Sequence, residues 1–148
     1  MKIALDKALQ MGVNAHKQKR FREADLYYSA ILNSQPNHPD ANHNLGLLAV
    51  EVGKFEEAIP LFKIALEANR KIPQFWLSYI DALINICKFE EASNILGAAR
   101  KAQLRDNSFQ TFQKELDQRD TLLFQSPFSS HFKSKNFHCF CANVINIL

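Results

Sequence analysis

Three groups of residues in this sequence have types and spacing that could do chemistry. His138, Cys139 and Cys141 stand together near the C-terminus, with His131 close by. Imidazole and thiolate suit zinc, but a closed site needs four ligands at characteristic spacing and only three lie together. Glu56-Glu57 and Glu90-Glu91 look like paired acids. They fall in the first turn of expected helices, where negative charge favours the helix dipole, and nothing in the sequence suggests the buried partner that acid–base work requires. The run His16-Lys17-Gln18-Lys19-Arg20-Phe21-Arg22 is basic. It covers a turn and brings no aromatic platform for bases, because Phe21 is a packing anchor by register. Gly-rich phosphate loops, nucleophile elbows and metalloprotease helix motifs are absent. The expectation is a chain with no catalytic residue, no metal and no cofactor, and no nucleic-acid partner.

The elements that would position such residues announce themselves by repetition. Residues 19–24 read Lys-Arg-Phe-Arg-Glu-Ala, residues 53–58 Gly-Lys-Phe-Glu-Glu-Ala and residues 87–92 Cys-Lys-Phe-Glu-Glu-Ala. Phe21, Phe55 and Phe89 are therefore 34 residues apart. Further columns keep step: Tyr28, Phe62, Leu96; Ile31, Ala65, Ala99; Ala15, Ala49, Leu83; Gly12, Gly46, Ile80; Met11, Leu45, Tyr79. Within unit two, Leu45, Leu48, Ala49 and Val52 recur at the helical period, and after Phe55 the set Ala58, Leu61, Phe62, Ala65 and Leu66 does so again. Each unit thus predicts two helices, with Asp40 near the start of one and Gly53 at its stop. The small residues Gly46, Ala49, Ala58 and Ala65 let antiparallel helices approach, while Leu45 and Phe62 fill the space around them. Pro60 is a local conflict that should bend or loosen the second helix of unit two.

Composition agrees with such an all-α chain. The 148 residues are 47% hydrophobic and 22% charged, values of an ordinary folded domain. A formal charge of +3 does not argue for nucleic acid, and 4 Gly with 5 Pro count against a turn-dense barrel. Three Cys, an odd count, do not make a disulfide scaffold. No apolar run is long enough to span a bilayer and the N-terminus lacks a secretory apolar core, so the expectation is a cytoplasmic protein without a membrane partner.

The pattern resembles the tetratricopeptide repeat over about residues 5–106. Unit two is the best copy, with Leu45-Gly46, Ala49, Gly53, Ala58, Phe62, Ala65 and Leu66. Unit three keeps Trp76, Ala92 and Ala99 but departs at Ile80 and Cys87. Unit one keeps Gly12, Ala24, Tyr28 and Pro36 but has Ile31 where Ala is usual. The resemblance implies a right-handed α-solenoid of antiparallel helix pairs, with a concave groove lined by the first helix of each pair. Proteins of this kind bind peptide or protein segments and generally have no chemistry of their own. The expected organisation is three pairs at about 5–38, 39–72 and 73–106, a capping helix at about 107–125, and an apolar tail over 126–148. Domain 1–125 would hold the groove.

Along each first helix the stripe not used for packing is mostly polar: Asp6, Gln10, Val13 and Lys17; Asp40, Asn44, Leu47 and Glu51; Gln74, Ser78, Asp81 and Asn85. Spacings of four, three and four place each set on one helical face. An amide both donates and accepts, so it can pair with the free backbone of an extended peptide. His43 and Leu77 flank the stripe. The family's clamp for the C-terminal carboxylate of chaperones uses Lys, Asn and Arg; here only Asn44 fits, and Leu9, Val13, Gln74 and Ser78 supply no positive charge, so no such clamp is expected. The candidate groove is Gln10, Lys17, Asp40, His43, Asn44, Leu47, Glu51, Gln74, Ser78 and Asp81.

The last apolar face of a stack needs a cover. Asp106 or Ser108 can start a capping helix with Phe109, Phe112, Leu116 and Leu123 on one face. The tail carries Phe128, Phe132, Phe137, Phe140, Val144, Ile145, Ile147 and Leu148 without a repeat period and could mediate self-association. The favoured function is a protein-binding scaffold. The alternative is the N-terminal accessory module of a larger bacterial glycosyl-, methyl- or sulfotransferase, present as a truncated product.

Overall fold

The computed structural model describes residues 2–102 and 108–124, with side chains for 4–102 and 109–118. The cluster His131, His138, Cys139 and Cys141, the cap candidate Asp106 and the apolar tail lie outside the described residues. Those residues form seven helices and no strand: α1 Lys2–Lys17, α2 Phe21–Ser34, α3 Pro39–Glu51, α4 Phe55–Ala68, α5 Pro73–Asn85, α6 Phe89–Lys101 and α7 Ser108–Phe124. Among them no helix is long and apolar enough to cross a membrane.

The helix ends show how one local code is written three times. Lys19, Gly53 and Cys87, one period apart, all have positive φ, at 59°, 79° and 60°. Each ends a first helix in the same double hydrogen bond. In unit two the N–H of Gly53 donates to the carbonyl of Val50 (2.9 Å) and that of Lys54 to Ala49 (2.8 Å). In unit three Cys87 donates to Ile84 (3.0 Å) and Lys88 to Leu83 (2.9 Å). This left-handed cap satisfies carbonyls that the helix leaves open. The next helix starts two residues later, at Phe21, Phe55 and Phe89. The cation just before it pairs with the Glu three residues on: Arg20 with Glu23, Lys54 with Glu57 (3.1 Å) and Lys88 with Glu91 (3.3 Å). The paired acids of the sequence are thus helix-start residues. Pro39 and Pro73 open α3 and α5 at the first helical position, where the missing N–H costs nothing. Pro60 is exposed and does not interrupt α4, which runs unbroken through it.

Packing within a pair is a trade of volume. A Cβ added at Gly12 would lie 2.6 Å from the Tyr28 ring, and one at Gly46 would lie 2.6 Å from the Phe62 ring. Glycine is required at both places because an aromatic ring occupies the space of its side chain. At the same register unit three has Ile80 and Leu96, both buried. The departure at Ile80 is therefore matched by a smaller partner across the interface. Ala24, Ala58 and Ala92, one in each pair, are fully buried.

Between pairs the connector is tied by one repeated bond. Trp76 Nε1 donates to the carbonyl of Arg70 (2.9 Å), and Asn42 Nδ2, one period earlier, donates to the carbonyl of Pro36 (2.8 Å). Asn42 is buried, so its amide must be paired, and a second bond to the His38 carbonyl (3.0 Å) completes it. Phe109 and Leu116 of α7 are buried against the α5–α6 pair and belong to its core cluster. At the other end, Lys7 and Asn14 are exposed where the equivalents Ala41 and Leu48, and Phe75 and Ala82, are buried. Unit one thus turns a largely polar outer face to solvent.

Candidate functional site

Helices α1, α3 and α5 lie side by side and present the stripe residues along one surface. The ten candidates do not share one environment. Gln10, Lys17, Glu51, Gln74 and Asp81 are exposed, and Asp40, Asn44 and Leu47 are half-buried. His43 and Ser78 correct the sequence expectation: they are buried, at 6% and 8% exposure. The reason is a bond between units. His43 Nε2 lies 2.9 Å from Ser78 Oγ, and Gln74 Nε2 donates to the same oxygen at 3.3 Å. The hydroxyl can accept from Gln74 while sharing a hydrogen bond with the imidazole, the direction of which depends on the tautomer of His43. The ring also lies 4.7 Å from Phe75 and 5.7 Å from Phe62, centroid to centroid. Burial pushes the His43 imidazole down to about 4, with the charge of Asp40 opposing. These two residues fasten α3 to α5.

Two further candidates carry internal duties. Asn44 Nδ2 donates to the carbonyl of Asp40 at 2.8 Å, leaving the amide oxygen and the second N–H. Glu51 accepts from Lys19 at 2.8 Å and lies 3.1 Å from His16 Nε2, so it bridges unit two to unit one. The hydrogen bond from Lys19 holds the Glu51 carboxyl below the usual range, and His16 adds to this. At the other end of the surface, desolvation raises the Asp81 carboxyl, and the charge of Glu115 on α7 raises it further.

Between α1 and α3 lies a cleft of about 360 Å³ lined by Val13, His16, Lys17, Lys19, Tyr28, Asn44 and Glu51. Four of these belong to the stripe read from the sequence. The other three escaped it: Lys19 sits in the turn, His16 one residue off the stripe, and Tyr28 on α2. The His16 ring stands edge-on to Tyr28 at 6.3 Å, and the Lys19 ammonium lies 5.6 Å from the Phe21 centroid. The Tyr28 hydroxyl is buried and has no hydrogen-bond partner among the described residues, and burial pushes it up to about 12. Among the described residues no group of three or more His, Cys, Asp or Glu is placed to hold a metal ion.

The fold so described is a right-handed solenoid of antiparallel helix pairs. The family model for the tetratricopeptide repeat matches residues 49–116. Solved structures of the same kind superpose well. The TPR2B domain of yeast Sti1 in its pHsp70 complex is 17% identical, with a TM-score of 0.70 over 79% of this chain and 98% of that one. The Arabidopsis OM64 TPR domain is 17% identical, with a TM-score of 0.69 over 78% and 95% of the two chains. The Sgt2 TPR domain of Aspergillus fumigatus is 15% identical, with a TM-score of 0.74 over 90% and 89%. Residues 49–116 thus match the tetratricopeptide repeat, and the seven helices of the described residues have the fold of these tetratricopeptide-repeat domains.

Proposed function

We propose that this chain is a non-catalytic scaffold that holds a segment of a partner protein along the surface of α1, α3 and α5. One observation carries the reading. The three first helices bury one face in the pair contacts, yet at the stripe register they keep Gln10, Lys17, Asn44, Glu51, Gln74 and Asp81 open or half-open. Such a row matches the donors and acceptors of an extended backbone. The Sti1 domain, similar in fold, is seen in a complex with pHsp70, which supports a protein ligand for this architecture. The positions of the chaperone-tail clamp hold Leu9, Val13, Asn44, Gln74 and Ser78, and Ser78 is committed to His43, so the partner differs in kind from a free C-terminal carboxylate held by Lys and Arg.

The test is the double variant Asn44→Ala, Asp81→Ala in the full chain, compared with wild type by pull-down from the native host. Retained helical circular dichroism with lost partner recovery supports the groove. Unchanged recovery of the same partners refutes it.

A further inference from the structure

The cleft between α1 and α3 holds two features that packing does not explain. The first is Tyr28. Its ring fills the place opposite Gly12, as the ring of Phe62 does opposite Gly46. Phe62 shows that the ring alone meets the packing need; the hydroxyl of Tyr28 is an addition. It is buried without a partner among the described residues, and an unsatisfied buried hydroxyl opposes folding. The second is Lys17. Of the two lysines on the cleft, Lys19 is committed to Glu51, and Glu51 is further engaged by His16. Lys17 is exposed and makes no ion pair among the described residues.

We propose that this cleft receives an acidic side chain, aspartate or glutamate, from within the partner segment, with its carboxylate held between the Lys17 ammonium and the Tyr28 hydroxyl. A carboxylate is an acceptor only, so it matches two donors without conflict. The ammonium brings charge, and the phenol, which burial keeps protonated, brings the hydrogen that lacks an acceptor. The hydroxyl is closed to solvent in this structure, so the carboxylate reaches it only with a rearrangement of the cleft wall. Glu51 does not repel it strongly, because Lys19 and His16 already face that carboxylate. This inference rests on the groove reading and adds the chemistry of one contact.

The experiment is selection of a random dodecapeptide library displayed on phage against the full chain, followed by fluorescence anisotropy of the enriched peptides. The expected result is an enriched set sharing an Asp or Glu, in which changing that residue to Asn or Gln weakens binding about tenfold, as loss of a charge-assisted bond requires. Lys17→Gln should weaken the acidic peptides by a similar factor and leave their amide twins unchanged. Tyr28→Phe should also weaken the acidic peptides while the midpoint of thermal unfolding stays or rises, a split that a merely structural tyrosine would not give. Peptides that depend on Asn44 and Asp81 but show no acidic preference overturn this inference and leave the groove standing. Peptides indifferent to Asn44 and Asp81 overturn both. A Tyr28→Phe variant that binds acidic peptides as wild type does removes the hydroxyl from the site.

Discussion

Lowering the pH should loosen the joint between the second and third helix pairs, and the size of the effect follows from His43. Its imidazole is buried against the Phe62 and Phe75 rings, hydrogen-bonded to Ser78, and burial keeps it neutral. In the unfolded chain the ring takes up a proton at its ordinary pKa of 6.5, whereas in the folded protein it does so only at about 4. Between these values the unfolded state binds more protons, so stability falls as pH falls. Above 6.5 the group contributes no slope, and below about 4 the loss is complete. At about 1.4 kcal/mol for each pH unit the interval amounts to about 3 kcal/mol. That is a large part of the roughly 5–15 kcal/mol by which ordinary domains are stable. Urea unfolding at pH 7, 6, 5 and 4, followed by circular dichroism, measures it. Carboxylates also titrate in this range, so the reading is the difference between wild type and His43→Gln. The variant loses ring contacts and should be less stable at pH 7, and its curve should approach the wild-type curve as pH falls. Parallel curves from pH 7 to pH 4, or a His43 ring that titrates near 6.5 by NMR, would refute the reasoning.

Other substitutions test the remaining contacts by the same unfolding assay. Gly46→Ala should cost about 1–3 kcal/mol, because its Cβ would stand 2.6 Å from Phe62; adding Phe62→Leu, which copies the Ile80 and Leu96 arrangement, should recover part of the loss. Gly97→Ala, in mid-helix with nothing within 4 Å of the new Cβ, should instead stabilise by about 0.5–1 kcal/mol. Gly53→Ala has equal space but a φ of +79°, and should cost about 1 kcal/mol; a gain there would show that the turn can change its backbone. Cys87→Gly, at a φ of 60°, should raise the unfolding midpoint, and Cys87→Ala should not.

Much of the fold is legible in the sequence because packing repeats what the backbone repeats. Phe21, Phe55 and Phe89 mark helix starts, and the Gly and Ala columns fall where two backbones must approach. Gly53 marked a helix stop; the structure makes that stop left-handed, and Lys19 and Cys87 adopt it without being glycine, since two hydrogen bonds hold each in place. The clues at Pro39 and Pro73 were also present, one period apart, as helix openers. The groove was less legible. A face can be assigned by period, but the depth of a side chain on that face depends on the neighbouring unit. Ser78 lies within the polar stripe and His43 flanks it, yet they meet each other across α3 and α5 and are buried. Glu51 reads as an open carboxylate until Lys19, 32 positions earlier, is seen beside it.

Repetition also supplies an internal control. Each position has counterparts one period away, so the demands of packing can be read from one unit and subtracted from another. Asn42 and Trp76 differ in size and chemistry, yet both donate to the carbonyl six residues back; the shared bond is structural and nothing is left over. Ile80 differs from Gly46, but Leu96 differs from Phe62 in the compensating direction, and the subtraction again leaves little. Tyr28 differs from Phe62 by one oxygen, its neighbour Gly12 is the same residue as Gly46, and no bond among the described residues answers that oxygen. Lys17 differs from Glu51 in that Glu51 is bound to unit one and Lys17 to nothing described. Packing requires neither remainder, and both border the same cleft. A ligand that accepts hydrogen bonds and carries negative charge accounts for the two together, where either alone would be an ordinary surface accident.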